Sequence, residues 1–137
     1  MWSTRVKAGA VAIAVLIVGS AATFGYRHAH ERTLRKAAVL TGGDPKRGPP
    51  LIRQFGCGAC HKVAGVRGAI GRVGPRLSAI SLDGRIGGAQ SNTPDHLIQW
   101  IVDPKALKPD TTMPRTGISE HDARHVAAYL LSVRWYD

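Results

Sequence analysis

The segment Ala8 to Tyr26, AGAVAIAVLIVGSAATFGY, carries no charged residue over 19 positions. A small soluble fold has no place for an apolar stretch of that length outside its core, and a core helix of this size would need flanking layers the chain is too short to supply. At about 1.5 Å per residue the segment would just cross a hydrocarbon core of roughly 30 Å. An export signal is the other reading, since Arg5 and Lys7 precede the run and Ser20-Ala21-Ala22 offers small residues to a peptidase. The run exceeds the roughly 7–15 residues of a signal's apolar region, which favours a retained anchor. The expected organisation is a short N-terminus over 1–7, a transmembrane helix over 8–26, a juxtamembrane linker over 27–43 and one globular domain over 44–137.

The net charge of +10 divides evenly: six cations against one acid up to residue 40, and thirteen against eight beyond it, give +5 in each part. A basic globular part fits an acidic partner protein, whose encounter would be steered electrostatically and weakened by salt. Nucleic acid is not expected as a partner, because no basic stripe is interleaved with stacking aromatics. The same count complicates orientation. Arg5 and Lys7 precede the apolar run whereas Arg27, Arg32, Arg35 and Lys36 follow it, so charge alone would put the globular part in the cytoplasm.

Residues 27–36, RHAHERTLRK, can continue the membrane helix into water, and Thr41-Gly42-Gly43 then breaks it. Pro49 and Pro50 would interrupt a helix begun at Asp44, which leaves a short helix over 49–55. Lys62 to Arg76 holds four glycines and a proline with no helical period and reads as an irregular loop. Thr93-Pro94-Asp95 opens a helix that Asp103-Pro104 ends, with Leu97, Ile98, Trp100 and Ile101 as its apolar residues. Ser119 and Asp122 open a last helix, in which Val126, Tyr129, Leu130 and Val133 fall on one stripe. No strand is predicted. So few helices and such long loops require something other than side chains to complete the core.

Cys57-Gly58-Ala59-Cys60-His61 supplies that component. In a CxxCH motif two thiols add to the two vinyl groups of one haem, and the adjacent histidine is thereby placed under the iron. A thioredoxin-like dithiol wants a βαβ context that is lacking, and a zinc site lacks two further ligands at usable spacing. Both cysteines are used, so no disulfide is expected. The pairs His28/His30 and His121/His125 read as solvated surface, because neither pair has other ligands at metal-binding spacing. His96 is a weaker candidate iron ligand than the methionine discussed next. Gly19 with Thr23 and Ala21 with Gly25 are small residues four apart that would let another membrane helix approach.

From residue 44 onward the chain resembles a class I cytochrome c. Gly74-Pro75-Arg76-Leu77 resembles the family's GPxL, which implies that the Pro75 carbonyl accepts the His61 Nδ1–H and fixes the ring. Thr111-Thr112-Met113-Pro114 resembles the family's xMP, which implies Met113 sulfur as the sixth iron ligand. Met113 is the only methionine besides the initiator. Ser119 to Leu131 resembles the closing helix, with Tyr129 at the position of an aromatic facing the haem. Gly48 and Ile52 resemble the first-helix contact in which a glycine admits the closing helix, although Pro49 and Pro50 depart from the family there. Trp100 resembles an aromatic found near a haem propionate in some relatives, and it is equally readable as plain core.

The resemblance implies an all-α class I cytochrome c fold around one covalent haem c. It implies an electron carrier and not an enzyme, with Cys57, Cys60, His61, Pro75, Trp100, Met113 and Tyr129 about the cofactor and His61 and Met113 on the iron. Haem attachment in such bacterial proteins takes place outside the cytoplasmic membrane, so the expected location is the inner membrane with the haem domain on the periplasmic side, against the vote of the charges. Asn92 to Leu97, Trp100 and Asp103-Pro104 resemble the cytochrome c domains of haem–copper oxidases, which implies a membrane respiratory complex as redox partner. The alternatives are a soluble periplasmic carrier released by cleavage near Ala22, a haem sensor or peroxidase-like protein in which Met113 leaves the iron, and a mainly structural subunit.

Overall fold

The computed structural model describes residues 4–133, with side chains from residue 8 onward except at 79, 81 and 82. Residues 1–3, the side chains of Arg5 and Lys7, and residues 134–137 at the end of the expected globular domain lie outside what is described. The chain separates into two units at the Thr33–Leu34 boundary.

The first unit is the greater part of helix α1 (Thr4–Thr41). Every side chain from Ala8 to Arg32 is exposed, and Ala8–Thr41 is long and apolar enough to cross a membrane. Phe24 stacks on His28 and Tyr26 on His30, each one helical turn apart. In a hydrocarbon environment a helix satisfies every backbone N–H and C=O within the segment, which is why an apolar run with glycines and β-branched residues is helical here.

The second unit begins within α1. Ala37 and Thr41 are buried, so residues 34–43, expected as part of a linker, pack with the globular part. The helix stops at the Thr41-Gly42-Gly43 step: Gly42 N–H donates to Ala38 O at 2.9 Å, and Gly43 N–H donates to Thr41 Oγ1 at 3.1 Å. Asp44 accepts from Lys46 N–H at 2.9 Å and opens a single 3-10 turn, Pro45–Arg47. Helix α2 (Gly48–Gln54) follows, with Pro49 and Pro50 in its first turn, where their missing N–H groups cost nothing. After it come α3 (Cys57–Cys60), a 3-10 segment (Leu77–Leu82), α4 (Pro94–Val102), α5 (Pro104–Leu107) and α6 (Glu120–Ser132).

The caps of α4 and α6 are those the sequence announces. Thr93 Oγ1 accepts from His96 N–H at 3.2 Å, and Ser119 Oγ accepts from Asp122 N–H at 3.1 Å. Asp103 both ends α4 and caps α5, accepting from Ala106 N–H at 3.3 Å. Helix α6 is the centre of the domain. Its Ala123, Val126, Ala127 and Leu130 are buried against Leu51 and Ile52 of α2 and Leu97, Ile98 and Ile101 of α4. A Cβ at Gly48 would lie 2.2 Å from Tyr129 Cβ, so only glycine allows α2 and α6 to meet this closely.

One expectation is corrected. Arg85–Ile86 (β1) and Gln90–Ser91 (β2) form an antiparallel hairpin, in register Arg85↔Ser91 and Ile86↔Gln90. Its turn needs positive φ at Gly87 (55°) and Gly88 (73°), a conformation that glycine adopts without steric cost. Two-residue strands are too short to show alternation, so the only legible signal was the Gly-Gly pair itself. The 62–76 loop is irregular as expected. It is tied down by Val63 N–H to Ala69 O (3.1 Å), Gly71 N–H to Gly58 O (3.0 Å) and Leu77 N–H to Lys62 O (2.9 Å).

Candidate functional site

The residues from Cys57 to His61 make one helical turn and an exit from it. His61 N–H donates to Cys57 O at 3.0 Å, and His61 itself is extended. The turn sets Cys57 and Cys60, three apart, on one face. The two form no disulfide with each other, and burial pushes the Cys57 thiol above its ordinary range, opposed by a backbone hydrogen bond.

The His61 ring is fixed from the loop side. Its Nδ1 lies 2.8 Å from Pro75 O. A carbonyl can only accept, so Nδ1 carries the proton and Nε2 keeps its lone pair, which is the state a metal ligand requires. Gly74 backs the ring: a Cβ there would lie 2.3 Å from His61 Cε1. Gly74 N–H is bonded to Cys60 O at 2.8 Å, so ring and supporting loop are held to the cysteine turn as one piece.

Cys57, Cys60 and His61 line a cleft of about 400 Å³, together with apolar walls from Ile52, Phe55, Leu97, Ile101 and Leu130. Met113 lines the same cleft, flanked by Thr111, Thr112, Pro114 and Thr116. The segment that carries it is pinned at both ends. Met113 N–H donates to Thr111 Oγ1 at 3.3 Å, and the Arg115 guanidinium is paired with the Asp103 carboxylate. That hydrogen bond and charge hold Asp103 below the usual carboxylate range and Arg115 above its own.

The structure thus brings Cys57, Cys60, His61, Pro75, Trp100 and Met113 to one cleft. Trp100 lines it from α4 and also covers the hairpin turn, since a Cβ at Gly87 would lie 2.2 Å from its Cη2. Tyr129, expected to face the cofactor, is not among the lining residues. Its hydroxyl donates to Ala64 O at 2.7 Å and its ring lies over Gly48, so it ties α6 to α2 and the 62–76 loop. The stripe pattern put Tyr129 on the inner face of α6, but not on the side of that face turned to the cleft. His96 does not line the cleft either, and its Nδ1 lies 2.9 Å from Ser91 O. Cleft residues passed over in the sequence include Arg85, which lies on the unpredicted hairpin and whose Nε donates to Gly88 O at 3.2 Å.

The donor chemistry fits haem. Two thiols stand at the wall, one imidazole nitrogen, His61 Nε2, keeps its lone pair in the neutral ring, and one thioether lines the same space. The largely apolar lining of the cleft suits a large apolar group. The family model for cytochrome c matches residues 45–134, 90 of the 137 residues. No curated protein and no solved structure matches the chain.

Proposed function

Because the chain belongs to the cytochrome c family, and so is an electron-transfer protein with a covalent haem c, we propose that it is a membrane-anchored one-electron carrier, fixed to or part of a respiratory complex such as a terminal oxidase. The observation that carries the anchored reading is α1, whose Ala8–Thr41 portion is long and apolar enough to cross a membrane and is exposed throughout its apolar run.

When bound, the haem supplies a one-electron couple at its iron. The protein residues do the rest. Cys57 and Cys60 would hold the cofactor through thioether bonds, and His61 Nε2 and Met113 Sδ would ligate its iron. Pro75 O keeps the His61 ring in one tautomer and one orientation, and the resulting partial charge makes Nε2 the stronger donor. Met113, as a soft thioether, favours the reduced metal. The apolar walls exclude water, so a change of charge at the centre reorganises little solvent.

Redox partner proteins are expected to meet the 62–76 loop. Ile70 and Val73 are 75% and 85% exposed there, and Val73 also lies at the cleft. Lys62, Arg67, Arg72 and Arg76, all exposed, surround them. An exposed apolar pair within a cationic rim supports an acidic docking surface on the partner. The inner membrane with the haem domain outside is the location this reading requires.

Purification from membranes in mild detergent, with visible spectra and identification of co-purifying proteins, tests the proposal. An intact N-terminus, a low-spin reducible haem and an accompanying oxidase or reductase are expected. A soluble chain that begins after about residue 22 and is recovered alone would replace the anchored reading by that of a diffusing carrier.

A further inference from the structure

His125 was expected at the surface with His121, yet it is only 6% exposed. Its Nδ1 accepts the backbone N–H of Asp44 at 2.7 Å, a partner 81 residues away. Since a backbone N–H can only donate, Nδ1 holds the lone pair and the neutral ring's proton sits on Nε2. That Nε2 is buried with no hydrogen-bond partner among the described residues, while the ring meets His121 edge-on at 4.8 Å between centroids.

The same seam has two further contacts. Arg124 Nη1 donates to Thr41 O at 3.0 Å, capping the last turn of α1. A Cβ at Gly43 would lie 2.2 Å from Arg124 O, so the chain leaving α1 runs directly against the α6 backbone. Segment 41–44 is thus joined to α6 by one close backbone approach, one arginine and one histidine.

A metal site is the obvious rival, because donor atoms of His121, Asp122 and His125 lie within 4.8 Å of one another. The tautomer argues against it. A metal at His125 Nε2 needs a lone pair there, and with Asp44 N–H on Nδ1 the neutral ring has none to give.

We propose that His125 is an acid-sensitive latch, in which a proton taken from water onto Nδ1 turns that acceptor into a donor, breaks the Asp44 bond and releases segment 41–44 from α6. The groups that face it are Asp44 and Arg47 from the preceding segment and His121 and Asp122 on its own helix, with Arg124 engaged by Thr41 O and Glu120. Burial first, then Arg47 and His121, hold the His125 pKa below the usual histidine range, against the opposing pull of Asp122 and Asp44. The sign follows from linkage. A released histidine titrates near 6.5 and the latched one lower, so the latch contributes fully above about 6.5 and weakens as pH falls below it. Between the two values each pH unit favours the released form about tenfold.

The test uses the full haem-loaded chain in detergent, with Asp44 amide exchange and the His125 ring nitrogens followed from about pH 7.5 to 5. Asp44 protection should fall, relative to amides inside α6, over the range in which Nδ1 gains its proton. His125→Asn places a carbonyl oxygen where Nδ1 stood and does not titrate, so its Asp44 protection should be flat with pH. Protection that does not track Nδ1 protonation, or that falls equally in His125→Asn, would overturn the latch. If that variant fails to fold, coincidence of the two wild-type curves decides the matter alone.

Discussion

His61 depends on an atom that mutagenesis of its partner's side chain cannot remove, because Pro75 acts through its carbonyl. The accessible lever is Gly74. Gly74→Ala would drive a methyl into the imidazole, 2.3 Å from Cε1, and overpacking of that kind costs about 1–3 kcal/mol. The variant should keep its thioethers but show a mixed-spin spectrum, with carbon monoxide binding to a fraction of the molecules. Met113→Ala should also retain covalent haem while lowering the potential by on the order of 0.1 V, within the roughly 0.8 V that axial ligands command. Retention of the low-spin spectrum and of the sulfur-to-iron charge-transfer band in that variant would remove Met113 from the iron. That Cys57, Cys60, His61 and Met113 would share one cleft was legible because the first three lie within five residues and Met113 had no competing methionine. The place of His125 was not, because its partner is the backbone of Asp44, and nothing in an i, i+4 histidine pair announces a distant amide.

At the level of elements, the domain depends on how closely helices can approach α6. Gly48→Ala would set a methyl 2.2 Å from Tyr129 Cβ. We expect a loss of about 1–3 kcal/mol, read as a lower midpoint in denaturant, with the haem spectrum unchanged below the transition. Wild-type stability in the Gly48→Ala variant would mean that α2 can shift along α6 freely. The starts of α4 and α6 were legible because each rests on a local side-chain cap, Thr93 and Ser119, whereas Asp103 was read only as the end of α4 and its capping of α5 was not foreseen. Nor was the β1–β2 hairpin, since two residues per strand carry no period and its position is set by Trp100 covering Gly87. Tyr129 shows the same limit within a helix. Its spacing placed it inward, but whether it met a cofactor or a loop carbonyl depended on the 62–76 loop, which has no repeating pattern to project.

On the scale of the whole chain, the division at Thr33–Leu34 yields a separable experiment. A chain beginning at Leu34 keeps Ala37, Thr41 and the α6 seam. It should be released from membranes while retaining the visible spectrum of the full chain. Its rate of electron exchange with an acidic partner should fall as ionic strength rises, because the Debye length shrinks from about 10 Å at 0.1 M salt to about 3 Å at 1 M. Persistent membrane association of the shortened chain would point to a second attachment within the globular part. The extent of α1 was legible from the apolar run, its polar continuation and the Thr41-Gly42-Gly43 break, but not that its last turn would be buried as part of the globular unit.

The cleft also sets the order of events in the life of the protein. Its walls come from segments between Ile52 and Leu130, and they surround space that no side chain fills. Haem held by these walls stabilises the folded chain over the unfolded one, so the chain before loading is expected to be the less stable and the more open to proteases. Scarcity of haem should be met by disappearance of the polypeptide, not by accumulation of an empty form.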